Sequence, residues 1–208
     1  MIRTIVFDFG NVVGFFDHRL VTTRLAPYGN LSAEELHAYI FGGSLEDAYE
    51  KGQLTSADFL QRIRSHGRLR CSDQVFIASY CEIFWPNTDV CNLLPLLKPR
   101  YRLLLGSNTT ELHSQHFCRQ FADSLKYFDA LAFSYQIGAR KPNRLFFDHC
   151  LKLADCAPGE CVFIDDLPAN VEGARACGWN GLVYRGVTEL KKSLAELEVP
   201  RAVKAGSF

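Results

Sequence analysis

Residues 161–184 read CVFIDDLPANVEGARACGWNGLVY. Cys161–Ile164 (CVFI) is an unbroken apolar run of strand length, Ala169–Cys177 (ANVEGARAC) has a helical pattern, and Gly181–Tyr184 (GLVY) is a second apolar run. Gly178 lies where a helix would stop. Unbroken apolar runs suit strands covered on both faces, which is how parallel sheets read. Strand, helix and strand in this order predict an open α/β sheet. The pair Asp165-Asp166 stands directly after the first run, at the sheet edge where ligands collect. Adjacent carboxylates at the end of a buried strand are costly unless a cation neutralises them. Mg²⁺, hard and oxygen-seeking, is the natural candidate.

Working outward, the same kind of run recurs at Thr4–Phe7 (TIVF), Tyr101–Gly106 (YRLLLG) and Ala130–Phe133 (ALAF), with a helical pattern over Asn143–Leu153. The expected core is therefore a Rossmann-like parallel sheet with helices on its faces. Between Phe7 and Tyr101 the rhythm breaks, because this stretch far exceeds an ordinary strand-to-helix connection. Ser32–Phe41 and Ser56–Ile63 open with Ser and acids, as helix N-termini do. These features predict a small α-helical cap inserted over residues 16–95, with residues 1–15 and 96–208 forming the core. The stretch after Val187 reads as one amphipathic helix fading into AVKAGSF.

Composition excludes several partners. Lys+Arg and Asp+Glu are both 23 in 208 residues, so a large basic face for nucleic acid or anionic membrane is not expected. No apolar stretch approaches the ~20 residues of a membrane span, and MIRTIVFDFG is too short an apolar run for a signal peptide. The eight cysteines include no CxxC pair and several lie in apolar runs, which predicts reduced, mostly buried thiols in a cytoplasmic protein.

Chemistry-bearing residues follow successive strands. Asp8 ends the first run; its alternative reading is a helix or turn cap. Ser107-Asn108, before Thr109-Thr110-Glu111, offer hydroxyl, amide and backbone N–H groups to an anion, or simply cap a helix. Arg140-Lys141-Pro142 precedes the Asn143 helix, with Pro142 taken as part of its first turn, which fixes an ammonium near the same edge. A carboxylate, hydroxyl and amide donors, a lysine and an acid pair suit attack by a carboxylate on a phosphate ester, with a metal offsetting the repulsion between anions.

The four segments FDFGNVV, LLLGSNTT, GARKPNRLFF and VFIDDLPANVEGARACGW, in that order, resemble the four motifs of the haloacid dehalogenase superfamily. EDAYEKGQLTSADFL is similar to the cap of its helical-insertion class, so the resemblance covers the whole chain. It implies that Asp8 is the nucleophile, that Ser107, assisted by Asn108, binds phosphoryl oxygens, and that Lys141 neutralises charge on Asp8 and phosphate. It further implies Mg²⁺ on Asp8, the Gly10 backbone carbonyl and Asp166, with Asp165 as second acidic ligand or support and Asn170 in an outer role. The substrate implied is a small phosphorylated molecule.

Gly10 departs from the family pattern, which there carries the aspartate that protonates the leaving group and activates water. Acid–base help of this kind is typically worth ~10²–10⁴-fold in rate. Asp17 is a substitute candidate, with capping of the first cap helix as its other reading. The FDxGNV form resembles a subgroup acting on sugar phosphates such as glucose 1-phosphate. A haloacid dehalogenase and a phospholigand-binding regulatory protein are the rival readings. His113 and His116 read as a solvated or half-buried helix face, Trp85 and Trp179 as core or cap packing, and Gly14-Phe15-Phe16 as the hinge between core and cap.

Overall fold

Five strands, β1 (Thr4–Phe7), β4 (Arg102–Ser107), β5 (Ala130–Phe133), β6 (Cys161–Asp165) and β7 (Asn180–Val183), form one sheet in the order β5-β4-β1-β6-β7. Every pairing in it is parallel, and Thr4 of the central strand faces Arg102 on one side and Cys161 on the other. The computed structural model describes residues 1–197; the AVKAGSF tail lies outside the described residues. Side chains on a strand alternate between its faces, and the apolar runs divide accordingly. Val6, Leu104 and Phe163 pack with Phe146, Phe147 and Trp179 on one face. Ile5, Phe7, Leu103, Leu105, Val162 and Ile164 pack with Leu94, Phe117 and Leu190 on the other. A sheet apolar on both faces is what the uninterrupted runs require.

Capping sets the flanking helices. Asn143 accepts from Leu145 N and starts the helix Arg144–Ala154, which ends where Asp155 turns left-handed at φ 52°. Pro142 therefore lies before this helix, not in its first turn. Pro168 opens the helix Pro168–Ala176, and Gly178 follows it at φ 84°.

Between β1 and β4 the chain makes an antiparallel pair, β2 (Gly14–Phe16) with β3 (Phe84–Pro86), opposing Phe15 and Trp85. These three-residue strands bracket five helices: α1 (Arg19–Leu25), α2 (Ala33–Phe41), α3 (Ser44–Glu50), α4 (Ser56–Gly67) and α5 (Asp73–Cys81). Ser32 and Glu35 form a reciprocal capping box at α2, and Thr55 caps α4. The insertion has its own apolar centre, including Leu25, Ile40, Phe59, Ile63 and Phe76. Val90, Leu93 and Leu94, inside the expected 16–95 span, instead pack under the sheet with Leu97. Asn87 ties the returning chain to the core, donating to Val12 O and the Tyr184 hydroxyl, both at 2.8 Å. Short Leu-rich helices read alike in sequence whichever core they serve. Trp179 is buried as expected, whereas Trp85 is 45% exposed on β3. Among the described residues no helix is long and apolar enough to cross a membrane.

Candidate active site at the carboxyl end of the sheet

The carboxyl ends of β1, β4 and β6 bring Asp8, Ser107 and Asp165 to one edge, and the loop before Arg144 adds Lys141. The Lys141 ammonium, 4% exposed, lies 2.7 Å from Asp8 Oδ1, 2.7 Å from Asp165 Oδ2 and 2.9 Å from Gly106 O. An ammonium has three N–H donors, and these three acceptors use them all. Burial opposes its charge, but Asp8 and Asp165 outweigh that and hold its pKa above the ordinary lysine value.

Asp165 is fully buried and saturated: Oδ1 accepts from Leu167 N at 2.9 Å and Asn170 Nδ2 at 3.0 Å, while Oδ2 accepts from Lys141 and Asn170. Asp166 is half-buried and holds one donor, Asn11 Nδ2 at 3.0 Å on Oδ2. Asp8 Oδ1 accepts from Phe9 N and Lys141, each at 2.7 Å; Oδ2 takes neither bond. Burial raises the Asp8 carboxyl, with Lys141 pulling against it and Asp165 and Asp166 adding to it. Burial likewise raises Asp166, against the Asn11 hydrogen bond.

Asp8, Asp165 and Asp166 each offer a carboxylate oxygen, all within 4.8 Å of one another. Three such groups against one ammonium leave excess negative charge in a poorly solvated place. The donor set and that imbalance fit a hard divalent cation. Of the two adjacent acids, Asp166 has the free coordination capacity and Asp165 anchors Lys141.

Asn108 donates to Lys141 O at 3.1 Å and accepts from Lys141 N at 2.8 Å, so its side chain fastens the lysine loop to β4 and keeps a second amide N–H. Ser107 is buried, with its hydroxyl turned to Asn108 O at 3.3 Å, a long bond that a stronger acceptor can displace. The Ser134 hydroxyl bridges the backbone N–H and C=O of Thr109, steadying the same turn.

A cavity of about 50 Å³ opens beside Gly10, Ser107 and Asn108, closed on the other side by His18 and Glu50 of the insertion and by His113. Asp17, the expected acid/base substitute, does not line it; its carboxylate accepts from Arg19 N at 2.8 Å at the start of α1. His113 also departs from expectation. It is 4% exposed, stacks on Tyr80 at 4.1 Å between ring centroids, and places Nε2 3.0 Å from Tyr80 O. A helix face that looks polar in sequence is covered here by the insertion. Next to Lys141, Arg140 reaches across to α3, with Nε 2.6 Å from Glu50 Oε2 and a second nitrogen 2.8 Å from Asp47 Oδ1.

Asn11, His18 and Glu50 were not legible as site residues. For Asn11 a signal existed in its place within the FDxGNV segment; its φ of 56°, which Asn tolerates better than other side-chain-bearing residues, shows only in the fold. Nothing local marked His18 or Glu50, which reach the site only through the packing of the insertion.

Burial lowers His113 to about 3, with His18 adding to the shift, and lowers His18 to about 4. The unfolded chain protonates both near pH 6.5, the folded chain only well below. Their contribution to stability is therefore intact above about pH 6.5 and is lost as pH falls towards 4. By pH 5 the loss is about 2 kcal/mol for His113. Buried Asp8 and Glu46, both raised, act in the opposite direction over this range, so the effect is read as a difference. Between pH 7 and 5, wild type should lose about 2 kcal/mol relative to His113→Gln in urea unfolding. Equal losses would show that His113 protonates as freely when folded as when unfolded.

The haloacid dehalogenase-like hydrolase profile matches residues 2–178. The chain therefore belongs to that family and is a hydrolase. It is 29% identical over 189 residues to a D-ribitol-5-phosphate phosphatase of Bacteroides thetaiotaomicron, covering 86% of this chain and 90% of that one. It is also 26% identical over 183 residues to a sesquiterpene phosphatase of Aspergillus oryzae, covering 86% and 88%. A haloacid dehalogenase family enzyme of B. thetaiotaomicron, solved with magnesium and inorganic phosphate, superposes with a TM-score of 0.79 at 24% identity. The match covers 89% of this chain and 95% of that one, and it bears on the fold.

Proposed function

We propose that the chain is a Mg²⁺-dependent phosphomonoesterase for a small phosphorylated metabolite of the sugar or alditol phosphate kind. The observation that carries this reading is the buried Lys141 ammonium held at 2.7 Å from both Asp8 and Asp165, beside the half-buried Asp166. Asp8 Oδ2 attacks phosphorus, the ester oxygen departs with the bonding electron pair and takes up a proton from water, and the resulting aspartyl-phosphate is hydrolysed. Lys141 offsets charge on Asp8 and on the incoming phosphoryl group, while Ser107 donates to a phosphoryl oxygen. Asp165 and Asn170 keep Lys141 in place, and Asn108 fixes its backbone. Mg²⁺ would be held by Asp8, Asp166 and the Gly10 carbonyl, supplying the positive charge that lets two anions approach.

The insertion serves as the cap that closes over the leaving group, and the relative acting on D-ribitol 5-phosphate supports a polyhydroxylated one. His18 and Glu50 in the cavity lining are polar groups suited to a hydroxylated leaving group. The eight free cysteines are in keeping with a reducing, cytoplasmic setting.

The test is phosphate release from a panel of sugar, alditol, nucleotide and small-acid phosphates. Release is expected with Mg²⁺ and should fall to background with chelator. Mg²⁺ should also raise Tm, because a ligand bound only by the folded state stabilises it. No release across the panel from folded, Mg²⁺-binding protein would overturn the phosphatase reading.

A further inference from the structure

Gly10 has no side chain with which to move a proton, and a side chain there would have to displace the Phe16 ring. A Cβ built there would stand 2.8 Å from Cε1 of Phe16, whose ring fills the space. Yet hydrolysis of an aspartyl-phosphate calls for a base across the phosphoryl group from Asp8, on the side of the cavity lined by Gly10 and Ser107.

Three titratable side chains line that cavity: Glu50, His113 and His18. Glu50 is held in an ion pair with the Arg140 guanidinium at 2.6 Å, which offsets its charge although its Oε2 accepts no hydrogen bond. His113 is engaged by Tyr80 O at 3.0 Å and is enclosed. His18 makes no ring-nitrogen hydrogen bond among the described residues and, unlike Glu50, has no cation paired with it; its Nε2 lies 3.7 Å from Glu46 Oε1, beyond hydrogen-bonding range. Its ring is nonetheless oriented, stacked on Phe41 at 4.0 Å with an interplanar angle of 8° and set against Phe16 at 4.8 Å. A half-buried, oriented imidazole lining the cavity has the form of a proton acceptor placed to meet its donor.

We propose that His18 is the base of the hydrolysis step, taking the proton from the water that attacks phosphorylated Asp8. This rests on the phosphatase reading above. The water oxygen bonds to phosphorus, and the bond from phosphorus to the Asp8 oxygen breaks with its electron pair returning to the carboxylate. The water proton passes to the imidazole, which releases it to solvent or to the departing phosphate. The charged and titratable groups facing His18 are Asp17 beside it, His37 of α2, Glu46 of α3 and His113 from the core. Burial, with His37, lowers its pKa to about 4, against Asp17, so the ring is neutral and able to accept a proton at pH 7.

The test uses His18→Phe, which keeps the stacking ring and removes both nitrogens, with p-nitrophenyl phosphate and Mg²⁺ in stopped flow. Nitrophenolate needs no proton to leave, so Asp8 should still be phosphorylated. A burst of about one nitrophenolate per active site is expected, followed by a steady state ~10²-fold or more below wild type. The phosphate adduct on Asp8 should be visible by mass spectrometry. His18→Gln, which lacks the ring but keeps a polar side chain, should give the same burst. Turnover by both variants within about threefold of wild type overturns the proposal. So does an equal fall in burst and steady-state rates, the mark of a purely structural role. A wild-type protein with no turnover overturns the phosphatase reading itself and this inference with it, an outcome distinct from an active wild type with unaffected variants.

Discussion

Asp8→Asn is expected to lower phosphate release by on the order of 10⁵-fold, to background, while the protein stays folded. The carboxamide has nearly the shape of the carboxylate but is a far poorer nucleophile. Its loss is not compensated locally, because Asp165 is saturated by Lys141, Asn170 and Leu167 N and cannot take over the attack. Stability should change little. Burial and two neighbouring acids already disfavour charge at Asp8, so a neutral group there relieves repulsion while forfeiting the ion pair with Lys141. Steady-state phosphate assays and thermal melts, run on one preparation, separate the two effects. Activity surviving above about a hundredth of wild type would place the nucleophile elsewhere.

Lys141→Met should damage both fold and function. Removing the ammonium leaves Asp8, Asp165 and the Gly106 carbonyl without their shared donor in a site that water hardly reaches. Breaking one partner of a buried ion pair costs about 3–5 kcal/mol, because the remaining charge is uncompensated. In a chain of this size that is a fall in Tm of roughly 6–20 °C. Turnover should drop by about 10³-fold, the scale of losing one preorganised electrostatic contact in a low-dielectric site.

The pH dependence distinguishes this cause from a simple packing defect. Without Lys141 the buried carboxyls take up protons in the folded state at higher pH than in the unfolded chain. The variant should therefore regain stability relative to wild type as pH falls from 8 to 5. Adding Asp165→Asn should restore part of the loss at neutral pH by removing one stranded charge. Urea unfolding of the single and double variants at pH 8 and pH 5 reads both effects. A deficit independent of pH would mean that the lysine acts only by filling space.

Much of the architecture was written in local pattern. A strand buried on both faces needs side chains that bury at every position, and the runs at Thr4–Phe7, Ala130–Phe133 and Cys161–Ile164 have them, with the Thr4 hydroxyl donating to Ala154 O. They recur as β1, β5 and all but the last residue of β6. The helix starts were equally local, since Ser32, Thr55 and Asn143 cap their own chains within three residues. Polar residues at strand ends were also readable, because a parallel sheet puts all its carboxyl termini at one edge. That rule is why residues as far apart as Asp8, Ser107, Lys141 and Asp165 could be grouped before any distance was known.

The sheet, the capped helices and the set of groups gathered at its edge each rest on periodicity or on contacts a few residues long, so local sequence suffices to specify them. The division of labour among those groups was decided by tertiary structure alone. Asp165 and Asp166 are identical side chains on adjacent residues, and only opposite directions from the end of β6 make one an anchor for Lys141 and leave the other open. Asn108 became a clasp because its amide meets the backbone of Lys141, 33 residues further along the chain. His18, rather than Asp17, reaches the cavity, because α1 takes the aspartate as a cap and the stacking of Phe41 and Phe16 orients the imidazole. Each of these outcomes depends on long-range packing and on which donors a side chain meets when water is removed. Neither is written in the neighbouring residues.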